Sequence, residues 1–333
     1  MKFLTQEEKQ TLVLLTTAAL AATVVSIYLG VNTHQDNDGV ISTKIHIIHT
    51  GGDVDNDFKE KYISKKEKYD IDSYQPQMRS TDISLNDWNV IAKDLEKKYN
   101  NYDAFIIVCG GDTLVYTASA LSFMIENVTK PIILTDGDVS SALKLASKTR
   151  IPEVMVSSNG KLLRGCRTVH KALEYFTSPN YQHLDMYNSL QQPKEKMQIK
   201  LFDPKINILV VKVFPGISDI SFNFSENDIV NGIVLEMYGS GNAPNSKNFM
   251  NAIKKLIEKG VVIVAVSQCD YLSKFDLDIR LLEAGVVSGN DMTTPAAYTK
   301  LCFLLSNVKD TKLVYQLMEK TFRGEMTENY PSI

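Results

Sequence analysis

The sequence is poor in cysteine, and charge of one sign forms no long run. Its four cysteines make no C-x-x-C pair and no metal-ligand spacing, which argues against a disulfide framework and against a metal site. Lys and Arg number 36 against 39 Asp and Glu, without a basic stripe, so we expect no nucleic-acid partner. Neither GxGxxG nor GxxxxGK followed by Ser or Thr occurs, and we expect no cofactor.

Charge is absent from residues 11–31, TLVLLTTAALAATVVSIYLGV. This length is enough to cross a hydrocarbon core of about 30 Å as a helix. The alternatives are a cleaved signal peptide, which usually has a shorter apolar region, and a buried helix, which usually has a polar stripe. The segment predicts a single-pass membrane anchor and a membrane location, in a compartment that the sequence leaves open. Lys2 and Lys9 place the 1–10 tail on the cytoplasmic or matrix-like side.

The rest of the chain is typical of a two-domain α/β protein. Its 333 residues, 44% hydrophobic and 23% charged, are enough for two cores. Continuous β-branched runs such as AFIIVC (104–109) alternate with helical segments, which indicates mostly parallel sheets covered on both faces. We divide the chain into a tail, an anchor, a tether, an N-terminal domain, a linker and a C-terminal domain, at 1–10, 11–31, 32–43, 44–190, 191–206 and 207–333.

Capping residues predict where individual helices begin. Ser84, with Asp87 three residues later, predicts a helix from Leu85 to about Tyr99. Asn245 predicts the cap of a helix over 246–259. The segment TASALSFMIE (117–126) is predicted to be helical as well.

Three of the predicted strands end in turns rich in Gly and Asp, at 50–53, 110–113 and 136–138. Ligands of parallel sheets bind beyond the carboxyl ends of the strands, so these turns are the candidate site. Each turn alone is a weak signal, because Gly and Asp are common in tight turns of every kind.

Two other kinds of site stay open. Asp53, Asp55 and Asp57 have the spacing that begins a helix–loop–helix calcium site, but Phe58 stands where that loop needs Gly. A solvated loop is the alternative. Cys109 adjoins a Gly-Gly-Asp turn and could be a nucleophile, although no His is near it in sequence. A small buried core residue is the alternative.

Several motifs resemble those of type I L-asparaginases, in the same order. HTGGD (49–53) resembles the first signature, Thr-Gly-Gly-Thr, and CGGDT (109–113) with its flanks resembles the second, whose turn reads His-Gly-Thr-Asp-Thr. NGKLLRGCRT (159–168) resembles a segment Asn-Lys-Leu-x-Arg-Gly, and GIVLEMYGSGNAP (232–244) resembles the C-terminal domain. The likeness covers residues 44 to about 305.

The resemblance implies a two-domain asparaginase-like α/β fold, to which the sequence adds the N-terminal transmembrane helix. Each domain would hold a mostly parallel sheet flanked by helices. The family hydrolyses the side-chain amide of L-asparagine to aspartate and ammonia, and two threonines carry out the reaction. Its members are usually dimers or tetramers, so the resemblance also implies a homo-oligomer, or a subunit of a membrane complex.

Site residues follow from the resemblance position by position. Those implied for catalysis are Asp53 in place of the attacking Thr, Gly111 in place of the second Thr, Lys161 as its supporting Lys, and Tyr62 as an assisting loop Tyr. Those implied for substrate binding are Ser80 for the carboxylate, Asp112 for the amino group, and Asn242 toward a neighbouring subunit. After Thr135 the chain reads Asp136-Gly137-Asp138, where the family has Gly-Ser-Gln and a charged loop.

Three functional hypotheses result. The loss of both hydroxyls favours a catalytically impaired protein that acts as a structural or accessory subunit of a membrane assembly, because losing one member of a catalytic unit costs several powers of ten in rate. The first alternative is a working L-asparaginase in which Asp53 activates a water and Lys161 acts as electrophile. The second is a protein that binds asparagine or aspartate without turnover.

Overall fold

The computed structural model describes residues 43–51, 69–172, 175–181, 183–218, 222, 229–270 and 275–327. All of these except Thr43 belong to one compact unit, which begins at Lys44. One parallel sheet forms from residues 45–164 and a second from residues 208–288.

The N-terminal sheet is built from β1 Ile45–His49, β2 Tyr69–Ser73, β3 Ala104–Val108, β5 Ile132–Thr135, β6 Val154–Ser158 and β7 Lys161–Arg164. The strands lie side by side in the order β2-β1-β3-β5-β6-β7. All run parallel except β7, which pairs antiparallel with β6 at one edge. β1, β3, β5 and β6 are buried along their whole length, as continuous Ile, Val and Leu runs predict.

Helices connect these strands: α1 Leu85–Lys98 precedes β3, α2 Gly111–Met124 follows it, and α3 Val139–Lys148 follows β5. The predicted cap of α1 is confirmed, because the backbone N–H of Ser84 donates to Asp87 at 2.8 Å in a reciprocal capping box. α2 begins six residues before the predicted start at 117, since the Gly-Asp turn after β3 forms its first helical turn.

The C-terminal sheet contains β11 Ile208–Lys212, β12 Gly232–Met237, β13 Val262–Ser267 and β14 Val287–Ser288, parallel and in this spatial order. Its helices are α4 Lys247–Glu258, α5 Ile279–Ala284, α6 Thr294–Asn307 and α7 Thr311–Met318. Ser246 caps α4 by accepting from the N–H of Phe249, so the prediction of Asn245 as the cap is wrong by one residue.

Two short antiparallel ladders complete the described strands. β4 Ile125–Glu126 pairs with β10 Gln198–Ile199, and β8 Val169–Ala172 pairs with β9 Tyr175–Thr177. The polar segment predicted as a linker therefore contributes a strand beside the end of α2. The predicted domain boundaries stay predictions.

The two sheets share one hydrophobic core. α2 of the N-terminal half packs on α6 of the C-terminal half, and a single cluster includes Phe105 and Leu121 with Val264 and Leu301. This burial of apolar surface from both halves is the main contribution that holds them together. The cleft between the halves is therefore lined by elements that cannot separate without exposing the core.

The predicted transmembrane helix is not part of the fold that the structure supports. Among the described residues no helix is long and apolar enough to cross a membrane. The longest of these helices have 14 residues and are about 21 Å long, short of a hydrocarbon core of about 30 Å. Residues 11–31 lie outside the described residues. The membrane helix is accordingly withdrawn from the fold class, and the membrane location and membrane partner are withdrawn with it.

Candidate active site

The carboxyl ends of β1, β3 and β5 lie next to one another, because these strands are neighbours in the sheet. The N–H and hydroxyl of Thr50 both donate to the carbonyl of Val108, at 3.0 and 3.2 Å. The N–H of Cys109 donates to the carbonyl of Thr135 at 3.1 Å. The three Gly-Asp turns singled out in the sequence thus begin at a single edge of the sheet.

Gly51 leaves the end of β1 in a conformation that requires glycine. Its φ is 128°, and a Cβ on it would lie 2.5 Å from the carbonyl oxygen of Met78. The N–H of Met78 in turn donates to the carbonyl of Thr50 at 2.7 Å. This close approach fixes the segment that leads into Ser80 against the end of β1.

Ser80 is held against the first turn of α2. Its hydroxyl donates to the carbonyl of Gly110 at 3.1 Å and accepts from the N–H of Thr113 at 3.2 Å. Asp112 lies in the same first turn and is exposed. The helix N-terminus carries a partial positive charge that stabilises a carboxylate there. The structure therefore brings Ser80 and Asp112, two residues that the sequence predicted as substrate-binding, onto one turn.

Gly111 faces a carboxylate. A Cβ on Gly111 would lie 3.4 Å from Oδ2 of Asp136 and 3.8 Å from the ring of Phe176, both ordinary contact distances. The position could therefore accept a side chain, and its lack of one leaves space beside Asp136. Sequence analysis did not select Asp136 as a site residue, although its place directly after β5 is the signal that could have found it.

Cys109 is buried, and its burial, with the nearby charge of Asp136, raises the pKa of the thiol to about 12. A thiol with this pKa stays protonated at neutral pH and is a poor nucleophile. The structure thus contradicts the hypothesis of a catalytic Cys109 and supports the alternative of a core residue.

A cleft of about 250 Å³ separates the start of α2 from the C-terminal half. Asp112, Tyr116 and His170 line one side, and Glu236 and Cys269 line the other. Glu236 accepts a hydrogen bond from the hydroxyl of Thr294 at 2.6 Å, which fixes its carboxylate. An ion pair between Lys171 and Asp270 joins the two sides at the rim.

His170 was not selected from the sequence, which carries no signal for it. Its ring stacks on Phe176 with centroids 4.8 Å apart, and Phe176 in turn lies beside Gly111. Its Nε2 is buried and has no hydrogen-bond partner in the described part of the chain. An imidazole nitrogen in this state can exchange a proton with a bound molecule.

The other predicted site residues lie elsewhere. Lys161 begins β7, the edge strand three places from β3, and is exposed. Asn242 is exposed in the loop after β12, where its amide donates to Ser240 at 2.8 Å. Asp53 and Tyr62, with the Asp run considered for calcium, lie outside the described residues. Within the described residues no cluster of His, Cys, Asp or Glu could hold a metal ion.

Comparison with known proteins assigns this geometry to a family. Residues 40–199 match the family described as Asparaginase, N-terminal, and residues 207–318 match the Glutaminase/Asparaginase C-terminal domain. The chain belongs to the asparaginase family. The two matches correspond to the halves that carry the two parallel sheets.

Individual relatives agree with this assignment. L-asparaginase 1 of Escherichia coli (strain K12) is 36% identical over 289 residues, which cover 78% of this chain and 85% of that protein. A glutamyl-tRNA(Gln) amidotransferase subunit of Thermococcus kodakarensis is 30% identical over 335 residues, or 87% of this chain and 74% of that protein.

A solved structure, L-asparaginase I from Vibrio cholerae O1 biovar eltor str. N16961, matches with a TM-score of 0.78 at 33% identity. The match covers 86% of this chain and 99% of that chain. The resemblance to type I asparaginases that the motifs carried is confirmed.

Proposed function

We propose that this asparaginase-family protein hydrolyses the side-chain amide of a small amino acid, L-asparagine being the first substrate to test. The observation that carries the proposal is the turn at the start of α2, which holds Ser80 and presents Asp112 to the cleft. A carboxylate at this place attracts the ammonium group of an amino acid through a charge-assisted hydrogen bond. The names of the relatives support the choice of asparagine.

A water molecule replaces the missing threonine in the mechanism we propose. Gly111 leaves space beside the carboxylate of Asp136, whose Oδ2 is 3.4 Å from the position of a Cβ on residue 111. Asp136 removes a proton from the water, the water oxygen attacks the amide carbon, and the C–N bond breaks as the nitrogen receives a proton. The products are a carboxylic acid and ammonia. General base catalysis of this kind contributes about 10²- to 10⁴-fold.

Ammonia release from asparagine by the purified full-length protein tests the proposal. Asp112→Ala removes the group that binds the ammonium, and Asp136→Asn keeps the shape of the base but not its basicity. We expect Asp136→Asn to lower kcat about 100-fold or more with a smaller change in KM. Asp138→Asn, two residues away, is the matched control, because the Asp138 side chain only caps α3. Equal activity of Asp136→Asn and the unmodified protein would refute the assigned base.

Binding without turnover is the second candidate, and the lack of a hydroxyl at Gly111 favours it. In that case the cleft binds asparagine or aspartate through Asp112, and the protein acts as an accessory subunit. Calorimetric binding of aspartate that Asp112→Ala abolishes, together with ammonia release at background, would select this candidate. The contributions that the sequence predicted for Asp53 and Lys161 remain proposals and need their own alanine variants.

We propose that the protein forms oligomers or acts as a subunit. One relative carries the name of an amidotransferase subunit, which supports a role inside a larger assembly. Asn242 is exposed in the loop after β12, as a residue directed at a neighbouring copy would be. Light scattering behind a size-exclusion column measures the mass directly, and a monomeric mass at micromolar concentration would contradict self-association.

A further inference from the structure

A half-open cavity of about 240 Å³ lies at the end of α2 opposite to Asp112. Its lining includes Ser122 and Ile125 at that end of the helix and Phe322 and Arg323 in the segment after α7. About twelve residues of helix, or roughly 18 Å, separate it from Asp112. It shares no lining residue with the cleft described above.

One pair of charges in this cavity is closed on itself. Nε and Nη2 of Arg164 donate to the two carboxylate oxygens of Glu153 at 2.7 and 3.0 Å. Both side chains are almost fully buried, at 4% and 3% exposure. Since the bidentate geometry uses both partners, neither of these charges is available to a ligand.

Arg323 differs, because most of its N–H groups are not committed. Nε donates to the carbonyl of Ser122 at 2.9 Å, and Nη1 donates to the carbonyl of Phe322 at 3.2 Å. Its ion-pair partner in the described part of the chain is Glu126, whose Oε1 is 3.7 Å from Nη2, beyond hydrogen-bond range. A guanidinium has five N–H donors, so three remain.

Apolar side chains surround this guanidinium, among them Ile125, Val128 and Phe322. We propose that the cavity binds a small monocarboxylic acid with an apolar body. The carboxylate accepts two parallel hydrogen bonds from Nη1 and Nη2 of Arg323, and the body lies against Val128 and Phe322. At about 30 Å³ per water molecule, the cavity has room for roughly eight non-hydrogen atoms, the size of hexanoate.

The charges favour a monoanion over a phosphate. A dianion would have one arginine to balance it and would be repelled by Glu126, which lies on the other side of the same guanidinium. It would also leave the apolar walls uncovered. A monocarboxylate matches the single charge and covers Val128 and Phe322 with its carbon chain.

Calorimetry on the full-length protein tests the site with sodium hexanoate and, as a neutral match, hexanamide. We expect 1:1 binding of hexanoate and at least tenfold weaker binding of hexanamide. Arg323→Gln should weaken hexanoate binding at least tenfold, and Val128→Phe should do the same by filling the cavity while leaving Arg323 in place. Arg280→Gln, which removes an arginine paired with Asp278 in the other half, is the matched control and should change nothing.

A second measurement locates the ligand without any substitution. Crystals of the unmodified protein soaked in 6-bromohexanoate should show an anomalous bromine peak inside the cavity, near Val128, with the carboxylate on Arg323. Asp112→Ala should leave hexanoate binding unchanged, which separates this site from the cleft. The proposal is overturned by absence of hexanoate binding at 10 mM, a bromine peak outside the cavity, or full binding by both Arg323→Gln and Val128→Phe.

Discussion

At the scale of single residues, Gly111 decides most about the chemistry. It begins α2 beside Asp136 and Phe176, and the contacts that a Cβ would make there are of ordinary length. Nothing in the packing around it therefore requires glycine, in contrast to Gly51. The missing side chain has its effect through the space it leaves next to a carboxylate.

Two substitutions at Gly111 separate water from threonine chemistry. Gly111→Ala fills the space without a hydroxyl and should lower ammonia release by about tenfold or more, because the attacking water is displaced. Gly111→Thr fills it with a hydroxyl beside Asp136 and should retain or raise activity. With Asp53→Thr added, the gain should exceed the product of the single effects, since groups that act as a unit are not additive. Equal activity of the Ala and Thr variants in a coupled ammonia assay would contradict this account.

Gly51 should tolerate substitution poorly. At φ 128°, with the carbonyl of Met78 2.5 Å from the position of a Cβ, Gly51→Ala forces both backbone strain and movement of the segment before Ser80. We expect the free energy of unfolding to fall by about 3 kcal/mol. Gly137→Ala is the control, since φ there is 150° and nothing lies within 4 Å. Urea titrations should show the smaller loss for Gly137→Ala, and the reverse order would refute the steric argument.

At the scale of elements, α6 is tied to the segment after α7 by a buried ion pair. Nζ of Lys300 is 2.8 Å from the carboxylate of Glu325, and both side chains are fully buried. Glu325 also accepts from the N–H groups of Phe322 and Arg323. Burial disfavours its charged form, but Lys300 and these amides hold the pKa of Glu325 below its usual 4.5.

Acid should reveal this pair. A carboxylate with a lowered pKa in the folded state stabilises the fold above its unfolded pKa, and the contribution is lost as the pH falls from 4.5 through the folded value. Glu325→Gln leaves Lys300 buried without its partner, and should cost about 3–5 kcal/mol at pH 7. The difference from the unmodified protein should narrow below pH 4.5 in urea titrations.

The exposed Glu283 provides the matched control for this measurement. Glu283→Gln should change the stability by less than about 0.5 kcal/mol at every pH. A gap between the unmodified protein and Glu325→Gln that stays constant down to pH 2 would show that Glu325 does not titrate with the fold.

At the scale of the whole molecule, the shared core makes unfolding a single event. Leu301 in α6 is fully buried and packs against Gly232 of β12, whereas Trp88, the one tryptophan of the sequence, lies in α1 of the other half. Leu301→Ala should cost about 2–5 kcal/mol. Because both residues belong to one hydrophobic cluster, the transition seen by Trp88 fluorescence should shift as far as that seen by circular dichroism. An unshifted fluorescence transition would mean that the halves unfold independently.

Local signals explain how much of the fold could be predicted. Runs of Ile and Val gave β1, β3, β5 and β6 nearly to the residue, and the Ser84 capping box gave the start of α1, because these signals depend on neighbours along the chain. The start of α2 was predicted too late, since its Gly-Asp turn looks like a loop in sequence. The membrane helix was wrong as part of the fold, since a count of apolar residues does not say which solvent a segment meets.

The sequence by itself determined the family, the alternation of strands and helices, and the loss of hydroxyls at two motif positions. Only the tertiary structure placed Asp136 beside Gly111 and His170 on Phe176, and it placed Lys161 at the edge of the sheet. The physical reason is the strand order, in which β1, β3 and β5 are neighbours although the chain between them is long. Residues that end adjacent parallel strands meet whatever their separation in sequence, and a motif read along one segment contains no record of that meeting.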